Sequence, residues 1–375
     1  MPENAPSAHV DHVGSLLRPP ALREAWFAHE EGKLSAAKLA EAEDQAIREV
    51  VRLQEELGLA YVTDGEFRRG GWSRGFLTAV SGFGFKPSKL TFHNDEGVAT
   101  AAPAPVATGR LARHRPIVAD DYAFLAGCTT RRAKVTMPTP SHMHFGHFGE
   151  CFDRRAYDDI GAFYDDMIDI YRAEICDLAG RGCSFLQLDE VPLTLLCDET
   201  NRGIARQQGE DPDALVDIYI DLINRALAGR PKTMRVALHL CRGNMQGLWM
   251  GDGGYAPIAE KLFNRLDVDA FLMEYDSPRA GDFAPLRHLP TGKTAYLGLV
   301  STKNPALEPV DELRRKLDQA AKYAPAAQLG LCPQCGFASS AMSKFNVLPN
   351  PMTPELQRRK LARLLEVAEL AWGSA

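Results

Sequence analysis

The sequence predicts an α/β fold, specifically a (β/α)₈ TIM barrel with a long insertion between its second and third strands. Short β-rich runs recur eight times along the chain, and helical periodicity fills most of the intervals between them. Such alternation indicates a parallel sheet, and eight repeats with a closing helix favour a barrel over an open sheet. The dinucleotide fingerprint typical of the open sheet is missing, because Gly82 and Gly84 lack a third glycine at the required spacing.

The eight predicted strands each end at a cluster of polar residues. In chain order they are 9–15, 59–66, 133–139, 184–190, 234–241, 269–276, 294–301 and 327–332. Barrels of this type carry their chemistry at the carboxyl ends of the strands. We therefore expect the functional residues in these polar clusters.

Helices are predicted wherever apolar residues repeat with helical spacing between good capping residues. Ser35 precedes one such run and Gly58 ends it, whereas Asp211 and Pro212 form an N-cap and first helical residue for a run that ends at Gly229. The remaining predicted helices cover 157–181, 255–266, 310–323 and 353–372.

One connection is too long for an ordinary loop of a barrel. Residues 67–132 separate the second and third predicted strands, and 93–109 within them are aperiodic and rich in Ala, Pro and Gly. Long loops are usually functional lids or disordered excursions. We interpret 67–132 as a lid or hairpin inserted into one barrel domain that spans 1–375.

Composition excludes several classes of protein. The 375 residues include 43 Lys and Arg against 49 Asp and Glu, which gives a net charge of −6, and nucleic-acid binding is disfavoured because it requires a basic surface. No apolar run approaches the ~20 residues that span a bilayer, and the N-terminus lacks the features of a signal peptide. We expect a cytosolic (cytoplasmic) enzyme without a disulfide framework.

A histidine and a cysteine two residues apart on the fifth predicted strand indicate a metal site. His239 and Cys241 point to the same face of that strand, and imidazole with thiolate is a zinc-type pair. Glu274 and either Cys332 or Cys335 stand at the ends of the sixth and eighth strands as further ligands. The alternative is that Cys332 and Cys335 form a redox or zinc-ribbon CxxC pair by themselves.

A second group of histidines follows the third predicted strand. His142, His144 and His147 could form another metal cluster, but the Lys, His and Asp series that accompanies His-x-His in metallohydrolase barrels is missing. We favour a lining role in the substrate pocket, with His144 as a candidate contact, or ordinary loop positions.

Six segments, spread in order over nearly the whole chain, resemble the cobalamin-independent methionine synthase family and specifically its catalytic C-terminal barrel. They are DHVGSLLRP (11–19), VTDGEFRRGGW (62–72), LQLDE (186–190), HLCRGN (239–244), MEYDS (273–277) and LCPQCGF (331–337). The resemblance implies a Zn²⁺ cofactor held by His239, Cys241, Glu274 and Cys335. Cys335 is preferred over Cys332 because the last ligand of the family precedes a glycine.

The same resemblance implies that homocysteine contacts Ser15, Glu66 and Asp189. Two carboxylates suit a substrate that carries an ammonium group, although they could instead pair with Arg68, Arg69 or Arg74. The implied reaction moves a methyl group from a donor such as 5-methyltetrahydrofolate to the thiol of homocysteine, which gives methionine. Glu66 and Asp189 would act in catalysis, and Glu274, the hardest donor, is the ligand expected to yield its place to the substrate thiolate.

Two departures from the family concern the methyl donor. Full-length synthases carry a second, N-terminal barrel that contributes to folate binding, for which 375 residues leave no room. Their seventh strand ends in a histidine thought to protonate the folate leaving group, whereas this chain has Ser301, Thr302 and Lys303 there. Lys303 is the candidate replacement as proton donor.

Three other functions stay open from the sequence. An epoxyalkane–coenzyme M transferase would keep the zinc and the thiolate, and Arg18, Arg68, Arg69 or Arg74 could bind its sulfonate, although Glu66 and Asp189 would repel it. A uroporphyrinogen-decarboxylase-like barrel would need no metal. A non-enzymatic barrel that binds metals or thiols is the third alternative, and the sequence indicates no oligomeric state.

Overall fold

A six-stranded parallel sheet forms the centre of the molecule, and its strands neighbour one another in the order in which they follow along the chain. This computed structural model describes residues 8–338 and 350–373. The sheet strands are β7 (Val135–Pro138), β8 (Phe185–Glu190), β9 (Arg235–Leu240), β10 (Ala270–Glu274), β11 (Thr294–Val300) and β12 (Leu329–Pro333). The other strands are β1 (Tyr61–Val62), β2 (Val80–Pro87), β3 (Phe92–His93), β4 (Ala99–Thr100), β5 (Pro103–Arg113) and β6 (Arg132–Ala133).

Helices follow the strands of this sheet, as the alternating pattern predicts. They are α1 (Pro20–Glu30), α2 (Ala36–Leu57), α3 (Arg74–Ala79), α4 (Ala119–Ala126), α5 (His142–Phe145), α6 (Ile160–Gly180), α7 (Pro192–Leu195), α8 (Glu199–Gln207), α9 (Pro212–Leu227), α10 (Ala259–Arg265), α11 (Val310–Ala320) and α12 (Pro354–Trp372). Short 3₁₀ turns lie at Phe148–Glu150, Pro278–Ala280, Ala284–His288 and Ala326–Gln328.

The capping residues act as the sequence predicts. The Ser35 hydroxyl accepts a hydrogen bond from the Lys38 amide at the start of α2, and Gly58 ends that helix with a φ of 90°. Asp211 caps α9 in the same way, with Pro212 in the first turn. The predicted helices at 255–266 and 310–323 are shorter in the structure than their periodicity suggested.

Every residue of β8, β10, β11 and β12 is buried. Such burial on both faces is typical of a parallel sheet that is covered by helices. The register places Asp189 of β8 beside His239 of β9, and His239 beside Leu272 of β10. The polar residues at the carboxyl ends of neighbouring strands therefore lie at one edge of the sheet.

The first two predicted strands are much shorter in the structure. Within 9–15 only Val10 forms a β-bridge, to Leu331, since Gly14 turns the chain with a φ of 118°. Within 59–66 only Tyr61–Val62 is a strand. The amide and carbonyl of Thr63 bind the side-chain amide of Gln54 on α2 instead of a neighbouring strand. The strand assignments therefore establish a parallel sheet, while its closure into a barrel stays a prediction.

The insertion between the second and third predicted strands contains its own secondary structure. Strands β2 and β5 form an antiparallel hairpin, and β3 and β4 form a smaller one within it. The aperiodic stretch 93–109 therefore includes β4 and much of β5. The hairpin bonds back to the main body where the Ala107 amide donates to the Cys151 carbonyl at 2.8 Å.

The helices of residues 8–338 and 350–373 include none with both the length and the apolar character that a membrane span requires. The location in the cytosol stays a prediction.

Candidate metal centre and substrate cavity

Three of the four predicted metal ligands lie together at the carboxyl edge of the sheet. The potential ligand atoms of His239, Cys241 and Cys335 all lie within 4.8 Å of one another. The two sulfur atoms are 3.5 Å apart. Strand β9 supplies His239, Cys241 follows it directly, and Cys335 comes two residues after β12. The group unites residues 94 positions apart in the sequence.

The imidazole of His239 is oriented as a metal ligand would be. Its Nδ1 lies 3.3 Å from the carbonyl oxygen of Leu272, whereas Nε2 is buried and has no hydrogen-bond partner among residues 8–338 and 350–373. A buried, unpaired ring nitrogen is costly unless something binds it. A backbone carbonyl on the other ring nitrogen is the usual partner that fixes a metal-binding tautomer.

The structure distinguishes between the two cysteines of the CPQC segment. Cys332 is buried in the sheet and its thiol donates to the Tyr296 carbonyl at 3.5 Å, away from the metal group. Cys335 faces His239 and Cys241. Gly336 follows because a Cβ there would lie only 2.7 Å from the Cβ of Ser15, which is too close for any side chain.

Glu274, the fourth predicted ligand, lies outside the group of three. Its Oε1 is 3.0 Å from Nζ of Lys303, and its Oε2 accepts a hydrogen bond of 2.9 Å from the backbone amide of Arg242. The carboxylate is therefore satisfied by other partners. Lys303, the predicted proton donor, is committed to this ion pair and is not among the residues that line the cavity.

A cavity of about 530 Å³ opens onto the metal group. His239, Cys241 and Cys335 line it, together with three of the four predicted substrate contacts, Ser15, Glu66 and Asp189. Residues from five separate parts of the chain thus meet in one space. Its volume falls within the usual range for small-molecule sites.

Ser15 lines the cavity, and a hydrogen bond from Arg18 holds its side chain. The Nη1 of Arg18 donates to the Ser15 hydroxyl oxygen at 3.0 Å, and its Nη2 donates to the carbonyls of Glu66 and Arg69. The Ser15 carbonyl in turn accepts from the Phe337 amide at 2.9 Å. Arg18 thus connects the ends of the first two predicted strands, and Ser15 connects them to the segment after the last one.

Glu66 occupies a backbone conformation that is uncommon for a residue with a side chain, with a φ of 63°. Its Oε1 is 2.6 Å from the Arg69 guanidinium and accepts a 2.8 Å hydrogen bond from the Thr136 hydroxyl. The pairing with Arg69 that the sequence left open is therefore present. Glu66 nevertheless lines the cavity, so the ion pair orients the carboxylate and does not remove it from the site.

Asp189 presents a carboxylate that no arginine or lysine neutralises directly among the described residues. Its Oδ1 accepts from the Gln187 side-chain amide at 2.8 Å. Burial, with the nearby Glu66 carboxylate, raises the pKa of Asp189 to about 6. The Asp189 carboxylate is still mostly ionised at neutral pH and can pair with a cation in the cavity.

The three histidines after β7 take different positions. His142 lines the cavity, its ring centroid 4.2 Å from that of Trp72, and burial lowers its pKa to about 4. His144 lies apart from the cavity, with Nδ1 2.7 Å from the Tyr219 hydroxyl, and this position does not support its predicted substrate contact. His147 contacts the Ala104 carbonyl.

The apolar wall of the cavity was not identified from the sequence. It is formed by Trp72, Leu77, Phe85, Leu90, Phe92, Phe145, Leu195 and Met250. Five of these residues belong to the insertion 67–132, which was predicted as a lid or hairpin without a prediction of which side chains face inward. Only the insertion's position at the strand ends could have suggested that it covers the site.

Comparison with known proteins shows the family of the chain. Residues 10–347 match the family model described as the catalytic domain of cobalamin-independent synthase. The chain belongs to this family.

Relatives align over almost their full length. The chain is 36% identical to the uncharacterized protein YxjH of Bacillus subtilis (strain 168), covering 97% of this chain and 94% of that protein. It is 27% identical to a methionine synthase of Pyrococcus abyssi (strain GE5 / Orsay), covering 86% and 84%. The crystal structure of a candidate vitamin-B12-independent methionine synthase of Listeria monocytogenes superposes with a TM-score of 0.74 at 28% identity, covering 99% and 100%. Membership of this family supports a methyltransferase whose acceptor is homocysteine.

Proposed function

We propose that this protein is a zinc-dependent methyltransferase that transfers a methyl group to the thiol of homocysteine and so forms methionine. One observation carries the proposal. The His239, Cys241 and Cys335 group opens into the same cavity as the carboxylates of Glu66 and Asp189. A thiol-activating centre and a receptor for an ammonium group thus lie within reach of one small substrate.

The residues fit Zn²⁺ by their chemistry. An imidazole nitrogen that has no hydrogen-bond partner in the described part of the chain and two adjacent sulfurs form a nitrogen and sulfur donor set, which selects zinc over hard cations such as Mg²⁺. Zn²⁺ bound by these residues would lower the pKa of a substrate thiol enough to make it a thiolate at neutral pH. Zinc has no redox activity and leaves the thiol unoxidised.

Residues other than the metal ligands would hold the amino acid part of homocysteine. Glu66, oriented by Arg69, and Asp189, held by Gln187, would receive the ammonium group, which fixes the direction of the thiol. Ser15, which also lines the cavity, would contact the same part of the substrate. Such positioning supplies much of the rate enhancement of a bimolecular transfer.

The methyl donor would enter from the side of the apolar wall, with 5-methyltetrahydrofolate as the first donor to test. Trp72, Phe85 and Phe92 offer aromatic surfaces for a flat ring system on that side. We also propose that residues 67–132, which supply part of this wall, are a lid within one domain that spans 1–375.

We propose that the parallel sheet is a closed (β/α)₈ barrel. Segment 9–11 bonds to β12 through two backbone hydrogen bonds, at 3.0 and 2.7 Å. The Leu16 amide donates to the Gly65 carbonyl, and the Thr63 hydroxyl donates to the Gly14 carbonyl, which connects that segment to the end of β1. β1 pairs in parallel with β6, which leads directly into β7. These contacts support a complete ring in chain order.

Metal analysis followed by a thiol-consumption assay tests the proposed function. We expect one zinc ion per chain and loss of homocysteine thiol only when a methyl donor is present. The electrophiles to compare are methylfolate, methylcobalamin and an epoxide, with homocysteine and coenzyme M as acceptors. A chain that binds no zinc would contradict the proposal and favour a metal-free barrel of the uroporphyrinogen-decarboxylase type.

A transferase for another thiol is the second candidate, because Arg18 also lines the cavity. A sulfonate thiol such as coenzyme M would need this cation, with an epoxide as the electrophile. The assay separates the two functions: Glu66→Gln should raise the KM for homocysteine by more than about tenfold, as expected when a hydrogen bond to a charged group is lost. Faster consumption of coenzyme M than of homocysteine would favour the second candidate.

A further inference from the structure

We infer that Arg18 and Ser15 form a receptor for the α-carboxylate of the acceptor, so that the cavity selects a zwitterionic amino acid over a simple thiol. The inference rests on the proposed function, which places the ammonium group of homocysteine at Glu66 and Asp189 but gives its carboxylate no positive partner. It assigns that partner to a buried arginine of the same cavity.

The first argument is that Arg18 is a buried cation without a counter-ion. Arg18 lines the cavity and is only 7% exposed. Its guanidinium donates to four neutral acceptors, the Ser15 hydroxyl and the carbonyls of Leu16, Glu66 and Arg69. Among residues 8–338 and 350–373, its Nε has no hydrogen-bond partner. A buried charge is costly unless an opposite charge compensates it, and burial lowers the pKa of Arg18 to about 10. The position therefore favours an anionic ligand.

The second argument is the balance of charges across the cavity. Glu66 pairs with Arg69 at 2.6 Å, so these two charges largely cancel. Asp189 is bound by a neutral amide and has no direct Arg or Lys partner in the described part of the chain. One negative and one positive charge, on Asp189 and Arg18, are thus left without a partner. An α-amino acid supplies both missing charges, whereas a thiol with only an anionic group would be repelled by Asp189.

The third argument is that the Ser15 hydroxyl is prepared to donate to an anion. Nη1 of Arg18 donates to the hydroxyl oxygen at 3.0 Å, so the hydroxyl hydrogen is left for an acceptor. The carbonyl of Ala338 accepts it at 3.4 Å, which is long for a hydrogen bond between two oxygens. A carboxylate in the cavity would be a stronger acceptor. Arg18 would therefore act through its charge and through the orientation of Ser15.

The fourth argument is that one buried amide connects the two charged positions. Nε2 of Gln187 donates to Oδ1 of Asp189 at 2.8 Å and to the carbonyl of Val13 at 2.7 Å. Val13 lies two residues before Ser15, which carries the contact with Arg18. The two halves of the receptor thus belong to one hydrogen-bonded framework. Such preorganisation suits a ligand whose ammonium and carboxylate groups are attached to one carbon atom.

Three ligands that differ by one charged group test the inference. They are L-methionine, methylthiopropylamine, which lacks the carboxylate, and methylthiobutanoate, which lacks the ammonium group. None has a free thiol, so their binding needs no activation of sulfur at the metal. Ligand-observed NMR gives the dissociation constants for the whole chain, unaltered and with Arg18→Gln, Arg18→Lys or Ser15→Ala.

Arg113→Gln is the matched control for the loss of a mostly buried arginine. The Arg113 side chain is 16% exposed, pairs with Glu174 at 2.7 Å and does not line the cavity. We expect this variant to bind all three ligands as the unaltered protein does. The melting temperature of each variant is measured in parallel.

We expect the unaltered protein to bind methionine on the order of 10- to 100-fold more tightly than the amine, the value of a hydrogen bond between charged groups. Arg18→Gln should reduce this ratio to about one, because it weakens methionine and leaves the amine unchanged. Ser15→Ala should reduce the ratio by roughly threefold to tenfold, as expected for one hydrogen bond. Arg18→Lys should retain most of the ratio, since the positive charge stays.

A merely structural role of Arg18 would weaken methionine and the amine by the same factor, and this result would overturn the inference. So would an unaltered protein that binds the amine as tightly as methionine. If Arg18→Gln does not fold, Ser15→Ala provides the test, and an unchanged ratio in that variant would overturn the inference.

Two further outcomes separate the inference from its neighbours. Tighter binding of coenzyme M than of homocysteine would assign Arg18 to a sulfonate and overturn the carboxylate receptor. Selective binding of methionine that depends on Arg18, without methyl transfer to homocysteine, would support the receptor and contradict the proposed function.

Discussion

The two sides of the cavity are built in different ways. The side proposed to bind the acceptor consists of polar residues at or near the carboxyl ends of strands, and each is held by a named partner: Arg69 for Glu66, Gln187 for Asp189 and the Leu272 carbonyl for His239. The other side is an apolar wall, part of which comes from the inserted hairpin. The parallel sheet positions one side, while a hairpin that is hydrogen-bonded to the body, as between His93 and Trp249, shapes the other.

This difference indicates that the chain determines the choice of acceptor more strictly than the choice of methyl donor. Fixed charges and metal-type ligands demand a particular acceptor chemistry, whereas an apolar wall accepts any donor of suitable shape. If this comparison is right, substitutions on the two sides should change different kinetic constants. The predictions that follow are ordered from the largest expected effect to the smallest.

Loss of a metal ligand should have the largest effect. Cys335→Ser should abolish zinc binding and lower the rate of thiol methylation by at least about a thousandfold, since a metal contributes several kcal/mol to such catalysis. Cys332→Ser is the matched control, because that thiol binds the Tyr296 carbonyl inside the sheet. Elemental analysis and initial rates check both variants. Equal zinc loss in both would mean that the choice between the two cysteines is wrong.

Removal of the Asp189 carboxylate should weaken the binding of the acceptor and leave the binding of the methyl donor unchanged. Asp189→Asn should raise the KM for homocysteine by about 10- to 100-fold, the value of a hydrogen bond between charged groups, and leave the KM for the methyl donor unchanged. Glu190→Gln is the control, because Glu190 binds Ser141 and the Leu193 amide and does not line the cavity. Steady-state kinetics with each substrate varied in turn would reveal any effect on the donor.

The pH dependence of acceptor capture should report the same carboxylate. Burial raises the pKa of Asp189 to about 6. Because only the ionised form attracts an ammonium group, kcat/KM for homocysteine should be constant above this pH and fall below it, at fixed zinc occupancy. Glu66→Gln should move the inflection to lower pH, since it removes the neighbouring negative charge. An inflection that is unchanged in Asp189→Asn would assign it to another group.

A substitution in the apolar wall should have the smallest effect, and on the donor only. Trp72→Ala removes the ring that packs against His142 at 4.2 Å and should raise the KM for the methyl donor by roughly threefold to tenfold, as expected for one aromatic contact. Homocysteine affinity, measured by calorimetry without donor, should not change. A parallel loss of homocysteine affinity would show that the two sides of the cavity are coupled.

The closeness of His239 and Cys241 and the extent of α2 were predictable because their sequence signals are local or periodic. His239 and Cys241 share a strand face by their spacing, and α2 was bounded by Ser35 and Gly58. The lengths of the first two strands were not predictable, because the backbone of Thr63 is bound by a side chain from a helix. That is a tertiary contact without a sequence pattern.

Two features of the site were also beyond the sequence. Lys303 lies beside Glu274 because strands β10 and β11 are neighbours and the loop after β11 places its Nζ 3.0 Å from Oε1 of Glu274. The predicted lid or hairpin did not include the direction of the side chains of Phe85 or Phe92. Long-range pairing and irregular loops are determined by packing, which local propensity does not encode.

X-ray absorption of the zinc-loaded protein, with and without homocysteine, tests whether the acceptor thiol binds the metal. We predict two sulfur ligands at about 2.3 Å in the free protein, from Cys241 and Cys335, and three after homocysteine is added. A sulfur count that does not change on addition of homocysteine would contradict activation of the acceptor at this centre.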